Sequence, residues 1–236
     1  MAELAQEYLF PVAPPATVDI LGLERPYPIS RIFCVGRNYA EHAKEMGVEV
    51  DREAPFYFLK PASAAVVTGS TIPYPPGTAN YHYEMELVIA VGKPAFKVTE
   101  EQAAAAVFAY GCGLDMTRRD LQLDARAKGR PWDLGKAFEQ SAILSPMTRA
   151  ESISSLEGRK IQLSVNGVVK QSALLDDLVW KVEEIIAHLS GYYHLMPGDL
   201  IFTGTPAGVG AVVAGDVIEG TIEGLEPIKL SIGPAE

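Results

Sequence analysis

Apolar residues along this chain fall mostly in short alternating or continuous blocks, and helical spacing is confined to a few stretches. Arg31-Ile-Phe-Cys-Val35 and Pro55-Phe-Tyr-Phe-Leu59 read as strands, the second stopped by Lys60-Pro61. The run from Tyr81 to Val91 reads as a longer strand, and its end, Leu87-Val-Ile-Ala-Val91, is apolar on both faces, as in an interior strand. A further strand ends at Asp115. Ile161-Gln-Leu-Ser-Val165 alternates, Asn166-Gly167 is a type I′ turn signal, and the chain returns from Val168, which predicts a hairpin. Leu200-Ile-Phe202 is a short strand entered from the Pro197-Gly198-Asp199 turn and followed by the glycine-rich loop Gly204–Gly210.

Helices are expected at four places. Ala40 to Met46 forms a short one after the Gly36-Arg-Asn-Tyr39 turn. Thr99 and Gln102 have capping-box spacing, which predicts a helix through the alanine-rich run to Tyr110. Arg118 to Lys128 ends at Gly129, and Asp177 is placed to cap a helix carrying Leu178, Val182, Ile185, Ile186 and Leu189, stopped at Gly191. Residues 1–28 are rich in proline and read as an extended lead, with the domain proper from residue 29 to 236. Strands outnumber helices, so the expected class is α+β and β-rich, with packed or rolled sheets.

Composition narrows the function classes. With 236 residues, 48% of them apolar, the chain can bury a substantial core. A formal net charge of −10 and the lack of any Lys/Arg cluster argue against a nucleic-acid partner. No basic segment followed by an apolar core opens the chain, and no apolar run has the length to span a bilayer, so a cytoplasmic protein with no membrane partner is expected. Cys34 and Cys112 sit singly among apolar residues, the setting of buried reduced thiols.

The candidate chemistry is acidic. Glu84 and Glu86 are two apart in a predicted strand and share a face, where a paired charge leading into an apolar run calls for a cation. Asp115 ends a second apolar run, and Lys136, in Gly135-Lys-Ala-Phe138, adds a lone ammonium. Three carboxylates without sulfur or paired imidazole favour Mg2+ or Mn2+ over Ca2+; a zinc site including His82, on the same predicted face, is the weaker alternative. His42 and Glu45 are three apart on the short helix, so the carboxylate can orient the imidazole to take a proton from water. His188 and His194 lack such company and read as surface or packing residues. No organic cofactor is implied.

Seven strings carry a resemblance: Gly36-Arg-Asn-Tyr-Ala40 with His42-x-x-Glu45, Phe58-Leu-Lys-Pro61, Tyr83-Glu-Met-Glu-Leu87, Gly111-Cys-Gly-Leu-Asp-Met-Thr117, Arg119-Asp-Leu-Gln122, Gly135-Lys-Ala-Phe138, and the stretch from Pro197 to Gly210. In this order they make the chain, from Ile29 to Ile232, resemble the fumarylacetoacetate hydrolase superfamily, in its small acylpyruvase-type form. The resemblance implies a rolled, mixed β-sheet, a homodimer, and Mg2+ or Mn2+ held by Glu84, Glu86 and Asp115. It places His42 and Glu45 on a lid as a water-activating dyad, Lys136 at the substrate's oxo group, and Thr205 with the Gly204–Gly210 backbone at its carboxylate. Arg37, Gln122 and Lys60 are implied as further substrate contacts. The reaction so implied is hydrolysis of the carbon–carbon bond of a 2,4-dioxo acid. Similarity through Glu45-Met-Gly-Val48 and Asp51-Arg-Glu-Ala-Pro55 favours fumarylpyruvate as that acid. Decarboxylation of oxaloacetate, or isomerisation with decarboxylation, are the alternatives within the family, and a non-catalytic module holding a metal or an organic acid is the alternative from another class.

Overall fold

The computed structural model describes residues 8–47, 52 and 54–235. The opening of the proline-rich lead and parts of the Glu45–Val48 and Asp51–Pro55 strings lie outside the described residues. The fold is α+β and β-rich, built on a curled mixed sheet. Its strands run, in spatial order, Phe56–Lys60, Arg31–Gly36, Asp199–Phe202, Met85–Val91, Val107–Asp115, Ala142–Leu144 and Ala65–Val67, with Thr148–Arg149 also paired to Val107–Asp115. Two of these pairings are parallel, Asp199–Phe202 with Arg31–Gly36 and Ala142–Leu144 with Ala65–Val67. A five-stranded sheet packs against one face, and three short strands, Thr117–Arg118, Tyr81–Tyr83 and Gly210–Val212, form a separate small sheet.

The interior strand is as its pattern predicts: every residue of Met85–Val91 is buried. Met85, Leu87, Ile89 and Val91 enter the core shared with the five-stranded sheet, beside Ile161, Leu163, Ile218 and Leu230. Val88 and Ala90 face a second core on the opposite side, with Ile32, Cys34, Leu200 and Phe202. Each fully buried Val, Leu or Ile contributes about 1.5–3 kcal/mol, so the two-sided burial makes this strand the mechanical centre of the molecule. Its neighbour approaches closely at Gly113, where a Cβ would stand 2.4 Å from Val88 and 2.6 Å from Phe202.

The second core explains what the proline-rich lead does. Thr17–Val18 pairs with Tyr27–Pro28, and Val18, Ile20, Tyr27 and Ile29 are buried against the outer face of the large sheet. The Tyr27 hydroxyl donates to the carbonyls of Val91 and Asp199 at 2.7 and 3.0 Å and accepts from Gly198 N. The later part of the lead is therefore a packed cover, because the sheet face beneath it is apolar.

Other expected elements divide. The hairpin Lys160–Val165 with Val168–Leu174 is present, and Asn166 and Gly167 both hold the positive φ of a type I′ turn, 51° and 76°. The short helix spans Ala40–Glu45 and the next long one Arg119–Ala127. The capping box at Thr99 and Gln102 forms as expected, but its helix is only Glu100–Ala103, followed by one 3-10 turn. The chain is extended from Val107, since the residues to Asp115 pair with Met85–Val91 and are mostly buried beside it. Asp177 does not cap the later helix. It closes a 3-10 turn by accepting from Leu174 N at 3.0 Å, and the helix starts only at Val182, running to Ser190 before Gly191. Leu178 instead bridges to Tyr39, which seats the short helix on the body of the protein. Cys34 and Cys112 are free and buried, and burial pushes both thiols up, Cys112 to about 12. Among the described residues, no helix is long and apolar enough to cross a membrane.

Candidate active site

The predicted Tyr81–Val91 strand is broken at Glu84, and the break builds the site. Tyr81–Tyr83 belongs to the small sheet and Met85–Val91 to the large one, so Glu84 sits at the junction with Glu86 just inside the interior strand. The kink is fixed from two sides: Gln171 Oε1 accepts from Met85 N at 3.0 Å, and Asp115 N donates to the Glu84 carbonyl at 2.9 Å. Antiparallel pairing, with Met85 opposite Leu114 and Glu86 opposite Gly113, carries Asp115 to the same place. One carboxylate oxygen from each of Glu84, Glu86 and Asp115 lies within 4.8 Å of the others, and all three residues are buried. His82 stays outside the cluster, holding Asn80 Oδ1 at 2.8 Å; burial, then Arg119, lower its pKa to about 4.

Cations surround these acids. Lys136, at the end of the short helix Asp133–Lys136, places Nζ 2.7 Å from Glu84 Oε2, 2.6 Å from Asp115 Oδ2 and 2.7 Å from Thr117 Oγ1. Arg119 bonds both Glu84 Oε1 and Gln122 Oε1. Lys60 is fully buried behind Asp115, its Nζ 2.8 Å from Oδ1 and donating to the carbonyls of Met116, at 3.1 Å, and Lys136. Burial alone would raise Glu84, but Lys136 and Arg119 hold it well below the usual carboxylate range. Burial likewise opposes the charge on Lys136, yet Asp115 and Glu84 outweigh it and raise its pKa. Glu86 differs: burial, Asp115 and Glu84 all push its pKa well up.

The donor set is all oxygen, which fits Mg2+ or Mn2+. Two features of the trio bear on a further cation. Glu86 accepts from Gly204 N at 2.7 Å but makes no ion pair among the described residues. Asp115 Oδ1 is buried without an aligned hydrogen-bond partner, since the Lys60 contact lacks that alignment. Gly204 itself is held at φ +99°, with its Cβ position 2.7 Å from Asn38, so this approach of backbone to carboxylate needs glycine.

His42 and Glu45 meet as expected from their spacing, Nδ1 to Oε2 at 3.1 Å. The helix is docked, because both Glu45 oxygens accept from Gly208 N at 3.2 Å and Arg126 Nη1 donates to the Met46 carbonyl at 3.0 Å. His42 opens on the cleft that Glu84, Glu86, Lys136, Gln122 and Thr205 also line. Arg37 also lines it, its backbone in the left-handed region at φ 59° and its guanidinium 5.6 Å from the Phe56 ring centre. Thr205 Oγ1 accepts from Gln171 Nε2 at 2.8 Å, so one buried glutamine supports both the kink between the glutamates and the glycine-rich loop. Of the expected contacts, only Lys60 does not reach the cleft.

Three residues of the site carry no role in the sequence reading. Arg119 had a signal, since it lies three residues before Gln122 and shares its helix face. Gln171 had none, because it sits in a hairpin strand among exposed neighbours. Arg126 lies one further turn along the Arg119–Gln122 face.

The protein-family model for fumarylacetoacetate (FAA) hydrolase, C-terminal, matches residues 31–232. A fumarylpyruvate hydrolase of Ralstonia is 56% identical over 193 residues, covering 81% of this chain and 100% of that protein. An oxaloacetate tautomerase of Escherichia coli is 38% identical over 199 residues, 84% of this chain and 90% of the relative. Among solved structures, fumarylpyruvate hydrolase from Pseudomonas aeruginosa in complex with Mn2+ and pyruvate superposes with a TM-score of 0.93 at 46% identity, covering 97% of this chain and 100% of that one.

Proposed function

The chain belongs to the fumarylacetoacetate hydrolase family, and from that premise we propose that it is an Mg2+- or Mn2+-dependent hydrolase that splits fumarylpyruvate into fumarate and pyruvate. The observation that carries this reading is the placement of His42, oriented by Glu45, on the same cleft as Glu84 and Glu86. A binding module needs the carboxylates but has no use for a buried imidazole on the same cleft, held by an adjacent carboxylate. The relatives named for fumarylpyruvate hydrolysis add the substrate.

Glu84, Glu86 and Asp115 would hold the ion. When bound, it supplies Lewis acidity and two positive charges beyond the balance of three carboxylates against Lys60, Lys136 and Arg119, which suits a doubly charged acid. His42 takes a proton from water as the water attacks the carbonyl of the fumaryl part, and Glu45 keeps the imidazole in the orientation for that transfer. Lys136 carries charge to the oxygen of the pyruvyl part as the bond breaks and its electrons pass to the pyruvate carbon, which is then protonated. Arg119, Gln122 and Thr205 fix the pyruvyl carboxylate from the helix and loop sides, with Arg37 also lining the cleft. Lys60 serves from behind, by positioning Asp115. On the strength of the family resemblance the enzyme is read as a homodimer of aromatic breakdown, with the cytoplasm as its expected location; light scattering checks the dimer.

The test is pyruvate release from fumarylpyruvate, acetylpyruvate and oxaloacetate with Mn2+ and with a chelator. Metal-dependent turnover with the highest kcat/KM on fumarylpyruvate is expected. A wide preference for oxaloacetate, which yields pyruvate by loss of CO2, would overturn the assignment.

A further inference from the structure

We propose that Arg126 selects the leaving acyl group by binding a second carboxylate at its far end; the inference rests on the acylpyruvate hydrolase reading above. Arg119, Gln122 and Arg126 are spaced i, i+3 and i+7 on the helix Arg119–Ala127 and all line the cleft. At about 1.5 Å per residue, Arg126 stands roughly 10 Å along the helix from Arg119, which is bonded to Glu84. A 2,4-dioxo acid ending in an unsaturated carboxylate is roughly 7 Å long from bond lengths, so its far end comes into reach of a guanidinium side chain placed there.

Glu84 and Asp115 are paired with Lys60, Lys136 and Arg119, and Arg126 takes no part in that network. It is partly buried, donates Nη1 to the Met46 carbonyl at 3.0 Å, and makes no ion pair with a carboxylate among the described residues. A guanidinium has five N–H donors, so most of its capacity is open to an anion. The surroundings describe what lies between. Beyond Lys136 the cleft continues into a groove that shares Arg37, Phe58, Arg126, Trp132 and Lys136 with it. Trp132 meets Phe56 edge-on at 5.0 Å and lies 5.9 Å from Phe58, giving an aromatic wall for a flat conjugated chain. A methyl ketone would leave both the wall and Arg126 unmatched. Because Arg126 also holds the carbonyl just after the His42–Glu45 helix, a filled far subsite joins the acyl end of the substrate to the lid.

The experiment compares wild type, Arg126→Gln and Arg126→Lys with Mn2+, measuring kcat/KM on fumarylpyruvate and on acetylpyruvate, and the Kd of fumarate by calorimetry. Arg126→Gln is expected to lower the preference for fumarylpyruvate over acetylpyruvate by about 10- to 100-fold, the usual effect of losing charge-assisted hydrogen bonds. It should weaken fumarate by a similar factor, and Arg126→Lys should recover part of both. An equal fall on both substrates, the mark of a mere lid tether, overturns the inference, as does an unchanged preference. Wild type that releases pyruvate from neither substrate would instead overturn the hydrolase reading, and this inference with it.

Discussion

Lys136 is the buried cation whose removal says most about the charge design of the site. Its Nζ is within 2.7 Å of Glu84, Asp115 and Thr117 oxygens, and its side chain is 3% exposed. Lys136→Met keeps the length of the side chain and deletes the charge. Removing one partner of a buried ion pair typically costs about 3–5 kcal/mol, because the remaining carboxylates are left desolvated and unpaired. For a domain of this size that corresponds to a fall in Tm of roughly 6–20 °C. The carboxylates stranded by the substitution are among those proposed to hold Mg2+ or Mn2+, so added metal should restore more stability to the variant than it adds to wild type. The assay is thermal unfolding of both proteins in chelator and in saturating Mn2+, with pyruvate release measured alongside. A variant as stable as wild type in chelator, or one that Mn2+ stabilises less than wild type, would refute the idea that Lys136 and the metal share these carboxylates.

Further outcomes follow from single side chains. His42→Ala should abolish pyruvate release while leaving Mn2+ affinity, measured by calorimetry, nearly unchanged; substantial residual turnover would remove the imidazole from the water-activating role. Gln171→Leu deprives Met85 N of its acceptor and Thr205 of its donor. Loss of about 1–3 kcal/mol in urea unfolding is expected, together with a raised KM, and unaltered kinetics would show that Thr205 needs no such support. Tyr27→Phe removes the hydroxyl shared by Val91, Asp199 and Gly198. A cost of about 1–3 kcal/mol is expected, and no change in the unfolding midpoint would mean that the cover formed by residues 17–28 contributes little to stability.

Local signals were readable in the chain where they act locally. Asn166-Gly167 needs only its own backbone preference to set a hairpin, and Thr99 with Gln102 needs only each other to cap a helix. The alanine run after Gln102 shows the limit. Alanine favours a helix, but Val107 to Asp115 has a buried strand waiting beside it, and pairing with Met85–Val91 overrides propensity. Asp177 failed for a local reason, its carboxylate taken by Leu174 N three residues before it. The acids Glu84, Glu86 and Asp115 and the ammonium of Lys136 were legible because charge inside apolar runs is costly and therefore conspicuous. Lys60 was legible as a charge but not in place, since nothing local says on which side of Asp115 it lies. Gln171 and Arg126 come to the site from a hairpin and a helix end, and only the tertiary fold brings them there.

The central claim is that one cleft combines a metal-holding carboxylate trio with a water-activating His42–Glu45 pair to split an acylpyruvate. The most direct measurement is pyruvate and fumarate release from fumarylpyruvate by the wild-type protein, with and without Mn2+. Equimolar appearance of both products, stopped by chelator and restored by metal, is the predicted result. Binding of fumarylpyruvate without metal-dependent release of either product would contradict the account.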